Sequence, residues 1–121
     1  MYGNLCVTII SMDELRGYID ERGKKRFADW LDGLNPIAAA KVTIALARME
    51  KGNLANVKGV GAGVFEYRID FGPGYRIYFG KDGDRLIILI GGGTKKRQQE
   101  DIAAALKCWA DYTRRKKKEI D

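Results

Sequence analysis

The chain predicts an α+β fold, a small antiparallel sheet packed on an N-terminal helical hairpin and a C-terminal helix. Three observations point there. Apolar residues recur with helical spacing in two segments before residue 52, separated only by Asn35-Pro36. Three strand-like segments follow in succession between Val64 and Ile90, each ended by glycine-containing turns. A last helical pattern closes the chain. Strands grouped in a run, with helices at either end, favour an antiparallel sheet over alternating βαβ units.

The elements follow in order. Leu5–Ile10 reads either as a strand or as an extension ahead of a start at Met12, so residues 1–12 form a candidate extension. Leu15–Ile19 reads as a strand before the Asp20–Gly23 turn. From Lys25 to Leu34, Phe27, Trp30, Leu31 and Leu34 make one apolar stripe. Asn35 can cap the next helix and Pro36 suits its first position. That helix, Ile37 to about Lys51, carries Ala38, Val42, Ala45, Leu46 and Met49 on one face, and Gly52-Asn53 stops it. Residues 52–63 hold four glycines and read as a loop with Lys58 as its lone charge. Val64–Phe71 and Tyr75–Phe79 alternate as half-buried strands, and Arg85–Ile90 is apolar on both sides, as an interior strand should be. A helix is expected from about Thr94 to Tyr112, with Ile102, Ala105, Leu106 and Trp109 at helical spacing, and residues 113–121 read as a basic tail.

Bulk composition narrows the chemistry. The 121 residues suit a single domain spanning 1–121, and 45% hydrophobic with 31% charged residues describes a folded protein. There is no histidine, which excludes imidazole bases, Cys–His and Ser–His pairs and histidine metal sites. Two cysteines 102 positions apart are too few for a disulfide framework or a thiolate zinc site. No apolar run approaches the roughly 18 residues of a membrane span, and a cytoplasmic location is expected, with no membrane partner and no cofactor or metal. The net charge is +6, with nine Lys/Arg against seven Asp/Glu in residues 1–60 and thirteen against nine in the rest. A basic excess favours polyanionic partners, nucleic acid first.

Register turns the strands into a candidate site. If Gly72–Gly74 is a three-residue hairpin loop, Phe71 pairs with Tyr75, Asp70 with Arg76, Arg68 with Tyr78 and Glu66 with Gly80. One face then carries Phe65, Tyr67, Ile69, Phe71, Tyr75, Ile77 and Phe79; the other gathers Glu66, Arg68, Asp70, Arg76 and Tyr78. Two arginine forks and a phenol on one face suit phosphate oxygens. At the expected start of the last helix, Lys95, Lys96 and Arg97 stand where the helix dipole disfavours cations, directly after Gly91-Gly92-Gly93. Free amides, a glycine loop and three cations would make an anion site. Gly59–Gly63 precedes a strand, and Gly91–Lys95 lacks the phosphate-loop spacing, so neither supports a nucleotide cofactor.

The run Gly63-Val64-Phe65-Glu66-Tyr67-Arg68-Ile69-Asp70-Phe71-Gly72-Pro73-Gly74-Tyr75-Arg76-Ile77-Tyr78-Phe79, with Gly91–Lys96 and Gln99–Ala103 after it, resembles the RelE/ParE toxin superfamily. It is most similar to the HigB-like "addiction module killer" branch, which Phe27–Leu31 and Met49–Asn53 also fit. The resemblance covers roughly residues 14–112. It implies a toxin of a type II toxin–antitoxin pair, a metal-independent endoribonuclease that cleaves mRNA on the ribosome and is silenced by a small antitoxin, itself a helix-turn-helix DNA-binding protein. The resemblance places catalytic roles on Arg68, Arg76, Lys95 and Lys96 and a further cation at Lys58. The residues themselves offer Lys95 or Lys96 for proton transfer, Glu66 as a competing base, Tyr78 as a substitute acid, and Arg97, with Lys58, as an RNA contact. Alternatives within the superfamily are a ParE-like inhibitor of DNA gyrase and a degenerate member that only binds its antitoxin. The sequence departs from the RelE pattern at Ile102 and Ala103, where a catalytic tyrosine is usual, and at Glu66, where a basic residue is usual.

Overall fold

The computed structural model describes residues 13–120, so the expectation for Leu5–Ile10 lies outside the described residues. Strand β1 (Glu14–Gly17) is followed by helices α1 (Arg26–Asp32) and α2 (Pro36–Glu50). Strands β2 (Val57–Gly61), β3 (Val64–Ile69), β4 (Tyr75–Asp82) and β5 (Leu86–Thr94) come next, then a 3₁₀ turn, Lys95–Arg97, and helix α3 (Gln98–Ile120). As predicted, Asn35 caps α2, its side chain accepting from the Ala38 N–H at 2.9 Å, with Pro36 at the first turn.

The sheet has five strands in the order β1-β5-β4-β3-β2. Strands β2 to β5 form the antiparallel meander, but β1 runs parallel to β5 along its outer edge. Strand β2 occupies part of the segment expected to be a loop. Its glycines hide the strand pattern, and it is an edge strand with little to bury. Ala62 (φ 50°) and Gly63 (φ 87°) turn it into β3, and two consecutive positive φ values are what a tight hairpin requires.

The β3–β4 register differs from expectation by two residues. Ile69 pairs with Tyr75, Arg68 with Arg76, Glu66 with Tyr78 and Val64 with Gly80. The connection is thus the five residues 70–74, folded by Gly72 and Gly74 at positive φ, with the Gly74 N–H donating to the Phe71 carbonyl. An even slip preserves the faces of the paired residues. It removes Phe71 and Asp70 from the ladder, and Phe71 is exposed instead of joining the apolar face.

Each face has its own core. Tyr67, Ile77, Phe79, Ile87 and Leu89 pack against Phe27 of α1 and Ala38, Val42, Ala45 and Met49 of α2. Val64, Tyr78, Ile88 and Ile90 pack against Ala105 and Trp109 of α3. Gly91-Gly92-Gly93 belongs to β5, paired with Tyr78, Ile77 and Arg76, and is not a flexible loop at a helix start. Two of these glycines serve close approach: a Cβ on Gly92 would strike the Trp30 indole, and one on Gly93 the Asp101 carboxylate. The basic run 114–118 continues α3. There Lys116 pairs with Asp82, and Arg114 and Arg115 pair with Asp111.

Candidate active site on the sheet

The α3-facing side of the sheet changes from apolar to charged at one end. Cross-strand pairing sets Lys58, Glu66, Tyr78 and Gly91 in one row, and Arg68, Arg76 and Gly93 in the next. Gly93 has no side chain, so Asp101 on the first turn of α3 settles close above it.

Glu66 is the hub. It is completely buried. Its Oε1 accepts from Arg68 Nε at 3.2 Å, its Oε2 accepts from Gln98 Nε2 at 2.8 Å, and Arg76 Nε lies 3.9 Å from Oε2. An isolated carboxylate here would carry a desolvation cost of several kcal/mol, on the order of what two guanidinium groups and an amide can offset. The two arginines differ in exposure: the side chain of Arg76 is 8% exposed and that of Arg68 47%. Arg76 is locked by the fold; Arg68 presents its guanidinium to solvent.

Arg68, Arg76 and Lys95 line one cleft of about 400 Å³, with Asn56, Asp70 and Gly74 also in its wall. The Lys95 N–H donates to the Gly74 carbonyl at 2.8 Å, which ties the 3₁₀ turn to the β3–β4 connection. Lys96 and Arg97 are exposed on the same turn outside the cleft wall, and Arg97 pairs with Glu100 at 2.9 Å. Lys58 is exposed on β2 opposite Glu66. Tyr78 is sealed beneath the site, its hydroxyl buried without a hydrogen-bond partner among the described residues, and burial followed by the Glu66 charge pushes its pKa well up.

Gln98 and Asp101 were invisible as site residues in the sequence, although they sit three apart on the first turn of α3. Asp101 Oδ2 is buried and has no hydrogen-bond partner among the described residues, and burial raises its pKa against the pull of Arg97 and Arg26. The signal that could have found them is the glycine run, because a bare strand opposite charged strand residues leaves room for a helix's polar side chains. Among the described residues, no group of three His, Cys, Asp or Glu side chains could hold a metal ion, and no helix is long and apolar enough to cross a membrane.

Comparison with known proteins bears on this arrangement. The family described as phage-derived protein Gp49-like (DUF891) matches residues 29–109, from α1 through Trp109 of α3. An uncharacterized protein of Haemophilus influenzae is 41% identical over 65 residues, covering 53% of this chain and 66% of the relative, so the match spans just under two thirds of that relative's length. The family match takes in every strand and side chain of the cleft, and the chain belongs to the Gp49-like family, a family of toxin–antitoxin toxins of the RelE/HigB-like type.

Proposed function

We propose that the protein is a HigB-like toxin that cleaves mRNA on the ribosome without a metal ion. The observation that supports this reading is the convergence of Arg68, Arg76 and Lys95 on one cleft, over a buried carboxylate that orients both guanidinium groups. In the reaction, the RNA 2′-hydroxyl gives its proton to a solvent water molecule, and its oxygen bonds to the adjacent phosphorus. The bond from phosphorus to the 5′-oxygen breaks, and that oxygen takes a proton. The products carry a 2′,3′-cyclic phosphate and a 5′-hydroxyl. Arg68 and Arg76 stabilise the charge that builds on the non-bridging oxygens. Lys95 stands on the cleft wall as the proton donor to the leaving oxygen.

Burial assigns Glu66 and Tyr78 other tasks than base and acid. The Glu66 oxygens accept from Arg68 and Gln98 and face the Arg76 charge at 3.9 Å, so on this reading it acts as a positioning residue, with Tyr78 buried beside it. Lys58, Lys96 and Arg97 supply positive potential around the cleft for RNA. Family membership implies an antitoxin partner; a DNA-binding antitoxin that covers the cleft fits this reading. Purified protein should cut mRNA bound to ribosomes and leave 5′-hydroxyl ends, and Arg68→Ala should slow it about 10²-fold or more. Intact mRNA together with inhibited gyrase supercoiling would overturn the nuclease in favour of a gyrase toxin. Intact mRNA with no inhibition of gyrase or of growth would leave only a binder of its antitoxin.

A further inference from the structure

We propose that the cleft adjoins a second groove that grips the flank of a single-stranded RNA, with Phe71 stacking a base and Lys41 and Arg48 holding phosphates. The substrate class rests on the RNA-cleaving reading above; the groove itself is a separate feature.

The second groove, about 280 Å³, shares Asn56, Arg68, Ile69 and Asp70 with the cleft, so the two adjoin at these residues. It adds Lys41, Ile44, Arg48 and Phe71. Ile37, Lys41, Ile44 and Arg48 recur at helical spacing on the face of α2 turned away from the core, and Ile37 and Ile44 are well exposed. Among the described residues, no carboxylate pairs with Lys41 or Arg48 within 4.0 Å. The Lys41 ammonium lies 4.9 Å from the centroid of the Phe71 ring, which is 37% exposed.

The Lys41–Phe71 contact is a cation–π pair at an exposed site, where such a pair adds little to stability, and among the described residues neither Lys41 nor Arg48 has a carboxylate partner. An exposed ring beside such cations is the combination by which single-stranded nucleic acids are held: cations follow the backbone, and a ring accepts any base. The five-residue connection 70–74 produces it, since it leaves Phe71 outside the ladder and exposed. Asp70 on the shared wall repels phosphate, which sets a boundary between the two grooves. Adjacency to a cleft lined by two arginines and a lysine favours RNA over an acidic peptide.

The test uses the full chain and a fluorescein-labelled nine-nucleotide oligouridylate with 2′-O-methyl groups, which cannot be cut by 2′-oxygen attack. Anisotropy then reads binding alone. Lys41→Ala with Arg48→Ala should weaken binding at least about tenfold and flatten the log-affinity against log-salt slope by about 1.4, two contacts' worth for a single strand. Phe71→Leu keeps an apolar side chain but removes the ring, and should weaken binding at least about fivefold. The control, Arg22→Ala with Lys107→Ala, removes the same charge from exposed positions on a different cleft. An equal loss in the control, or full binding by Phe71→Leu, overturns the groove. So does binding of a nine-residue polyglutamate peptide as tight as that of the RNA, which would make the surface a protein-docking site. Ribosome-dependent cleavage is scored separately: groove binding without cleavage removes the nuclease and leaves the groove, and cleavage without groove binding does the reverse.

Discussion

Arg68 and Arg76 stand directly opposite each other on β3 and β4, and the buried Glu66 carboxylate reaches both guanidinium groups. Like charges facing across a ladder normally destabilise a hairpin. Here the carboxylate beneath them, itself held by Gln98, makes the pairing tolerable and aims two cations into one cleft.

The two arginines should therefore separate in a stability measurement. Arg76→Ala leaves the Glu66 charge buried with the half-exposed Arg68 as its one remaining ion-pair partner beside the Gln98 amide, and should cost about 3–5 kcal/mol. Arg68→Ala should cost less than about 1 kcal/mol, because its pairing is screened by solvent. Urea denaturation midpoints of the two variants check this, and equal losses would contradict the geometry.

Activity should show the opposite sensitivity at Arg68. Arg68→Ala should lower ribosome-dependent mRNA cleavage about 10²-fold or more, the usual effect of losing one group that stabilises transition-state charge. Arg68→Lys should recover only part, because an ammonium cannot bind Glu66 and phosphate as a planar fork does. Single-turnover cleavage rates, with circular dichroism showing unchanged folds, measure both.

Packing between α3 and the sheet should be sensitive at Gly80 and tolerant at Gly91. A Cβ on Gly80 would lie 2.5–2.6 Å from three carbons of the Trp109 ring, which is stacked on Tyr112. Gly80→Ala should cost about 1–3 kcal/mol by overpacking. Gly91 has nothing within 4 Å of an added Cβ, so Gly91→Ala should be neutral or slightly stabilising. Thermal melts of the two variants give the contrast directly.

The Tyr18–Asp111 hydrogen bond ties the segment after β1 to α3 and should shape the pH dependence of stability. The bond from Tyr18, then Arg115, holds the Asp111 carboxyl below its usual range. Its stabilising contribution is present above the unfolded-state value and is lost as pH falls through the folded one. Burial and the Asp111 bond push Tyr18 up to about 12. Its contribution is full below the ordinary value of 10.0 and is lost as pH rises towards 12. Tyr18→Phe should cost about 1.5–3 kcal/mol at pH 7, the worth of a hydrogen bond to a charged group. It should also flatten the melting temperature against pH on both flanks, and an unchanged profile would refute the coupling.

The helices were legible because their signals are local. Asn35-Pro36, the stripe from Phe27 to Leu34 and the stripe from Ala38 to Met49 need no distant partner to be read. The two faces of β3 and β4 were legible for the same reason, and they survived a two-residue error in register because the strand period is two. Strand β2 was not legible, since its glycines carry no pattern and its place at the edge comes from pairing with β3. The parallel addition of β1 to β5 was equally hidden, because nothing in either strand states the direction of its neighbour.

Sequence by itself determined the α+β class, the absence of imidazole chemistry and the set of cations from which a site had to be built. Tertiary structure alone decided which of them meet. It brought Arg68, Arg76 and Lys95 to one cleft, left Lys96 and Arg97 outside its wall, and put Phe71 in the open beside Lys41. It also converted Glu66 from an apparent base into a buried anchor. Burial causes that change: a carboxylate with no access to water, two donors on its oxygens and a second guanidinium nearby is committed to holding its neighbours, and no pattern of residues along the chain reports how much water reaches a side chain.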